Sequence, residues 1–297
     1  MQEKKWDGKS YGTPLGYKMF IFCIRFLGLR FTYAILFLAS IYYIFKRKSR
    51  ESTTQFKKIY KNWSHKTKKI GFFFLFKRVF TFGQVLIDRV AVFFGIKFHL
   101  EEDGVNNLES ILQSGGIILG SHFGNWEAGL SILKQKKDLK TYVAMSVVEG
   151  DFLQKILQKK ARNFVSVIPL DRDHDSLFKI KNCLQENKVV AMHGDRYFGK
   201  MRTIESSFMG EQAHFPTGPY IIGATLQKKI CFVSVVKIKW NTYKVVCSEP
   251  LLCTWDRQYK KNDQIKAWLQ KYISFIEENL RDYPEQWFNF YDFWAKK

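Results

Sequence analysis

Residues 115–130 read GGIILGSHFGNWEAGL, and few folds can satisfy that order of residue types. The apolar run Ile117–Leu119 has the length of a buried strand, and the small residues Gly120 and Ser121 permit a sharp turn at its exit. Asn125 can cap a helix on which Trp126, Leu130 and Leu133 recur at core-facing spacing. His122 then stands at the carboxyl end of a strand, where open α/β sheets hold their ligands. Glu127 lies five residues on, and a bend through Gly124 brings its carboxylate back to the imidazole. A carboxylate that accepts the Nδ1 proton fixes the tautomer and leaves Nε2 free to take a proton from a hydroxyl. The spacing alone also suits a capped helix beside a structural histidine.

Strand and helix alternate around this stretch. Phe98–Glu101, Ile117–Leu119, Tyr142–Met145, Val165–Pro169, Val189–Met192, Ile230–Val235 and Thr242–Ser248 read as strands. Helices are expected over Val105–Leu112, 150–163, 174–187, 217–227 and Asp263–Leu280. This order specifies an α/β domain with a mixed sheet flanked by helices. A chain of 297 residues suits one such domain, 51–297, preceded by a segment of different character, 1–50.

That segment is hydrophobic from Met19 to Phe45, broken by Arg25, Gly28 and Arg30 and followed by Lys46, Arg47, Lys48 and Arg50. Its clean part, Phe31–Phe45, is shorter than the roughly 20 residues of a spanning helix. A tilted span and a pair of interfacial helices both fit, and either makes it a membrane anchor with the following domain on the basic, cytoplasmic side; an ordinary buried helix is the plain alternative. The pattern from Gln55 to Phe98 is helical, with an aromatic burst at Phe72, Phe73, Phe74 and Phe76 that suits either a membrane surface or a core.

The chain holds 48 Lys+Arg against 27 Asp+Glu, a formal charge of +21, which favours anionic partners. Aromatic residues make up 17%, no zinc-finger spacing occurs and no basic helix is free of hydrophobics, so an anionic membrane surface is expected rather than nucleic acid. The five cysteines lack CxxC spacing and suggest neither a disulfide framework nor a zinc site. Asp171, Asp173, His174 and Asp175 form a polar knot without the spacing of a metal cage and read as a solvated turn.

A second strand exit follows Val189–Met192 with His193-Gly194-Asp195-Arg196. Arg196 offers a guanidinium fork for a phosphate or carboxylate, and Asp195 can orient it or bind a sugar hydroxyl. A structural ion pair is the plain alternative. Phe215-Pro216-Thr217-Gly218-Pro219 has a turn signature, with Thr217 and Gly218 placed to offer amides to an anion.

GSHFGNWE resembles the His-x4-acid motif of the lysophospholipid acyltransferase family, most closely its branch of late lipid A biosynthesis enzymes, the Kdo-lipid A type. HGDRYFG at 193–199, FPTGPYIIGA at 215–224, YPEQWFNFYDFW at 283–294 and WDGKSYGTPLGY at 6–17 resemble that branch's other blocks in order. The resemblance implies a glycerol-3-phosphate acyltransferase-like fold and the transfer of an acyl chain from a thioester, with acyl carrier protein as donor. The implied acceptor is a hydroxyl of a lipid A precursor or similar glycolipid, and the implied location is the cytoplasmic face of a bacterial inner membrane. His122 and Glu127 are then the catalytic pair. Backbone amides around Phe123, Gly124 and Asn125 would meet the oxyanion, Asp195, Arg196, Thr217 and Gly218 would contact substrate, and neither metal nor cofactor is implied. The family's acidic motif carries further Asp residues where this chain has Arg196 and Tyr197. A metal-dependent phosphoesterase would carry its Gly-Asp element before the histidine element, whereas here it follows. A noncatalytic membrane-surface protein would explain charge and aromatics but not four polar residues at strand exits.

Overall fold

Burial of a strand on both faces and along both edges demands apolar residues throughout, and Gly116–Gly120, here β2, is buried at every position. In the computed structural model, residues 14–63, 70–126, 141–145, 165–170, 175–197 and 201–294 are described. The other strands of the main sheet are β1 (His99–Asp103), β3 (Thr141–Met145), β4 (Val165–Pro169), β5 (Val189–His193), β8 (Lys229–Lys239), β9 (Thr242–Cys247) and β10 (Leu251–Leu252). Their order is β1-β9-β8-β2-β5-β3-β4, with β10 also on β8. β8 runs antiparallel to β9 and β10, and the remaining pairs are parallel, so the sheet is mixed as expected.

The pleat sends Ile117 and Leu119 to one side with Val190 and Met192, and Ile118 to the other with Val189 and Ala191. Tyr220 of α7 (Gly218–Leu226) and Leu269 and Ile273 of α8 (Lys261–Asp282) cover the first side. Leu108 and Ile111 of α5 (Val105–Ser114) cover the second, and α6 (Asp175–Gln185) adds Ile180 and Leu184 to the first. The other expected strands and helices agree with these to within a few residues at their ends, and the helices expected after Asn125 and over 150–163 lie outside the described residues. The hairpin of β6 (Thr203–Phe208) and β7 (Glu211–Pro216) was not foreseen. Its turn is Met209-Gly210 with φ of 54° and 80°, the paired positive values of a type I′ turn, which Asn-Gly would have announced and Met-Gly does not.

The amino-terminal segment folds as α1 (Pro14–Phe26) and α2 (Gly28–Tyr43), parted at Gly28, whose φ is +79°. Among the described residues no helix is long and apolar enough to cross a membrane. This corrects the tilted-span reading of 19–45, because the break at Gly28 divides the apolar run into two shorter helices. Leu29, Tyr33 and Leu36 pack on Ile87, Val90 and Ala91 of α4 (Phe74–Phe93). Gly83 makes this approach possible, since a Cβ there would meet Leu36 Cδ1 at 2.5 Å. The opposite side leaves Phe22, Phe26, Phe31, Leu38 and Phe45 exposed. The helical pattern of 55–98 is two elements, α3 (Arg47–Trp63) and α4. The aromatic burst divides between the two readings. Phe72 and Phe73 are 90% and 75% exposed, whereas Phe74 is buried and stacks on Phe56 with ring centroids 5.8 Å apart.

Asp88 of α4 and Lys237 of β8 form a buried ion pair with Nζ and Oδ2 2.6 Å apart. Asp88 also accepts from the Tyr33 and Tyr243 hydroxyls, and Lys237 donates to the Trp240 carbonyl at 2.8 Å. Burial pushes the Asp88 carboxyl up and the Lys237 ammonium down, and each charge opposes the shift of the other. Removing one partner strands the other charge. Asp88→Ala is therefore expected to destabilise the fold by about 3–5 kcal/mol, read from urea unfolding. Asp88→Ala with Lys237→Met should recover much of that loss, and a double variant no more stable than the single would place the cost on the tyrosines instead.

Candidate active site

Gly120 at the end of β2 is the register partner of His193 at the end of β5, and the Gly194 N–H extends the ladder to the Gly120 carbonyl at 2.9 Å. His122 and Asp195 each lie two residues beyond a paired position, so the two exits present them at one level. The Asp195 carboxylate accepts the His122 backbone N–H at 2.9 Å through Oδ2 and meets Nδ1 at 2.8 Å through Oδ1. Asp195 has 1% of its side chain exposed and His122 has 24%, so the carboxylate sits behind a ring whose outer edge reaches solvent. Sequence reading gave the orienting role to Glu127, which lies outside the described residues. The carboxylate on Nδ1 is Asp195, for which an acceptor contact had been expected.

Beyond His122 the chain is pinned on two sides. Phe123 bridges Trp287, the Gly124 N–H donates to the Gln286 carbonyl at 2.9 Å, and the Asn125 N–H donates to the Val235 carbonyl at 2.7 Å. Gly124 has φ +67° and a Cβ there would meet Val235 O at 2.0 Å, so this bend needs glycine. The Asn125 amide donates to the Tyr243 hydroxyl at 3.1 Å. The oxyanion cradle expected from amides of 123–125 thus needs correction at Gly124 and Asn125, whose N–H groups are held inside the fold.

Arg196 is also turned inward. Its Nε donates to Asn289 Oδ1 at 2.8 Å and Nη2 to the Phe288 carbonyl at 2.9 Å, with Tyr291 against its guanidinium. The open clamp expected for an acceptor is instead a tie to the carboxyl-terminal segment. Thr217 is buried, and both its N–H and hydroxyl donate to the Arg202 carbonyl, so it anchors the hairpin. Gly218 begins α7, which returns the chain to β8, parallel to β2, and so starts on the same sheet edge as His122.

Two residues went unassigned in the sequence. His193 lies in edge contact with His122, ring centroids 4.3 Å apart, and Trp126 stands 5.0 Å from it on another side. Asn289 is buried and donates from Nδ2 to Asp195 Oδ2 at 3.4 Å. The histidine's position at a strand exit beside Asp195 was a usable signal, and Asn289 gave none, standing in an aromatic block.

Burial holds His122 below its ordinary pKa of 6.5, with Arg196 adding to the effect against the opposing pull of Asp195. Burial and the neighbouring His122 lower His193 further. For Asp195 burial acts upward, but His122, its hydrogen bond and Arg196 outweigh it and keep the carboxyl well below its usual range. Near neutral pH the site is two neutral imidazoles and one carboxylate. Such a set can move a proton from a hydroxyl to Nε2 of His122 while Asp195 stabilises the imidazolium. His122, His193 and Asp195 also bring one ligand atom each within 4.8 Å of one another, a donor set that suits a divalent metal and that no linear spacing announced.

A search of curated proteins finds no significant match. Residues 77–296 match the family model described as bacterial lipid A biosynthesis acyltransferase. That match takes in both strand exits and the carboxyl-terminal segment that closes on them, and it covers more than half of the chain. The protein belongs to the bacterial lipid A biosynthesis acyltransferase family and is an acyltransferase.

Proposed function

We propose that this acyltransferase moves a fatty acyl chain from the thioester of an acyl carrier protein to a hydroxyl of a lipid A precursor or similar glycolipid. The observation that carries the reading is the His122–Asp195 pair, a neutral base on a buried carboxylate at a strand exit. Nε2 of His122 takes the hydroxyl proton as that oxygen attacks the thioester carbon. The tetrahedral intermediate collapses with loss of the thiolate, which takes the proton back from the imidazolium. Glu127 supplies the acid of the motif's second half. With the Gly124 and Asn125 amides engaged, the Phe123 amide and the neutral ring of His193 are the N–H donors left for the oxyanion.

The exposed Phe22, Phe26, Phe31, Leu38, Phe45, Phe72 and Phe73, with Arg25, Arg30 and Lys46 among them, support seating in the interface of an anionic membrane. The proposed location is the cytoplasmic face of a bacterial inner membrane. Mass spectrometry of lipid extracts from cells with and without the protein tests the acceptor, and a difference of one acyl group on a glycolipid is expected. A difference confined to another lipid class would overturn that assignment.

His122→Ala should lower the transfer rate by about 10²–10⁴-fold. Because burial holds the His122 pKa below its ordinary value, the acid decline of kcat/KM should lie at lower pH than an exposed imidazole would give. Asp195→Asn removes the charge that favours the protonated ring, so it should lower the plateau and move the decline to still lower pH. An unmoved decline would assign the base elsewhere. The His122–His193–Asp195 donor set favours a metal-dependent reading as well, and a chelator separates the two: transfer should persist, and its loss would establish the metal.

The donor is tested by kcat/KM for one acyl chain on the carrier protein and on coenzyme A across a salt series in detergent. The formal +21 charge should favour the acidic carrier, and the preference should fade as the Debye length falls from about 30 Å at 0.01 M to about 10 Å at 0.1 M. Equal use of both donors, or indifference to salt, would reassign the basic surface to lipid.

A further inference from the structure

Arg78 of α4 is completely buried, and each of its described hydrogen-bond acceptors is neutral. Nη1 donates to Thr53 Oγ1 at 2.9 Å, and Nη2 donates to the carbonyls of Trp287 at 3.1 Å and Asn289 at 2.7 Å. The ring centroids of Phe56 and Phe290 stand 5.3 and 4.5 Å from the guanidinium carbon, and Nε is buried with no partner among the described residues. Burial lowers its pKa to about 9, which leaves the group charged at neutral pH. A charge buried against dipoles alone is unfavourable, and it persists only where the surrounding structure holds it.

It holds residues 286–289. The Gln286 side chain pairs with both backbone groups of Lys237, accepting the N–H at 2.8 Å and donating to the carbonyl at 2.7 Å. The Gln286 carbonyl takes the Gly124 N–H, and the Phe288 N–H donates to the His122 carbonyl at 2.8 Å. Asn289 completes the strap. Its Oδ1 accepts from Arg196, which can only donate, so its Nδ2 must face Asp195, which as a carboxylate can only accept. Asp195 Oδ2 is thereby held between the His122 N–H and the Asn289 amide, and Oδ1 is left on Nδ1 of the ring.

We propose that Asn289, fixed from behind by Arg78, is a positioning residue that sets the Asp195 carboxylate and through it the tautomer and angle of His122. The inference rests on His122 being the base. Without the amide, one oxygen of Asp195 loses a donor and the carboxylate can rotate away from Nδ1.

Asn289→Leu and Asn289→Asp test it, each with kcat, KM and the pH profile. Asn289→Leu should lower kcat by about 10–100-fold with KM for both substrates within about twofold, and should move the acid decline to lower pH as Asp195 loosens its hold on the ring. Asn289→Asp has nearly the same shape and serves if the leucine variant does not fold. It sets a second carboxylate near the first and should move the decline to higher pH. Combined with Asp195→Asn, Asn289→Leu should cost little beyond Asp195→Asn alone, because both act through one group. A structural role would lower the yield of folded enzyme and leave the decline where it is. Unmoved profiles in both Asn289 variants, or losses that multiply, would overturn the proposal. If Asp195→Asn also leaves the decline unmoved, the fault lies with His122 as the base; if it moves the decline, with Asn289 alone.

Discussion

The parallel register that sets Gly120 opposite His193 is the constraint on which the chemistry depends. Parallel neighbours end at the same edge, and equal numbers of residues past their ends reach equal heights. A slip of one residue would turn every side chain of β2 to the wrong face. Because β2 is apolar on both faces, the register is held by its ladders to β5 and β8 and by the Gly194 N–H on the Gly120 carbonyl. The backbone pairing therefore sets the separation of imidazole and carboxylate, and their own hydrogen bond follows from it.

Three buried charge groups surround this edge and are stabilised in different ways. Asp88 and Lys237 satisfy one another, with Tyr33 and Tyr243 filling the remaining acceptor sites. Asp195 is stabilised by a ring, two N–H groups and the nearby Arg196. Arg78 has carbonyls, a hydroxyl and aromatic faces. Tyr243 touches both Asp88 and the Asn125 amide, so the loop after His122 is joined by hydrogen bonds to the amino-terminal helices.

Much of the sheet was legible because β2, β4, β5 and β8 are runs of β-branched and apolar residues bounded by polar or glycine positions. The two strand exits were legible for the same reason. What joins them was not: the Asp195–His122 contact spans 73 residues and obeys no local spacing, whereas Glu127 stood at a familiar one. Arg196 read as a substrate clamp because a guanidinium's partners are invisible in a sequence, and here they are a carbonyl and an amide from the far end of the fold. The break of the amino-terminal apolar run was signalled by Gly28, and the division of the aromatic burst into exposed Phe72 and Phe73 and buried Phe74 was not, since neighbouring identical residues carry no sign of which one turns inward.

The strap has a consequence for how the protein comes into being. Arg78 meets Trp287 across 209 residues, a separation at the slow, non-local end of what folding must close. Chains emerge from the ribosome amino end first, and their early parts begin to fold before the later parts exist. The amino-terminal helices, with their exposed phenylalanines, are made long before residues 286–289 are available to reach His122. The helix that carries Arg78 is thus made before the strap exists, and the surroundings of His122 are completed only once residues 286–289 close on it.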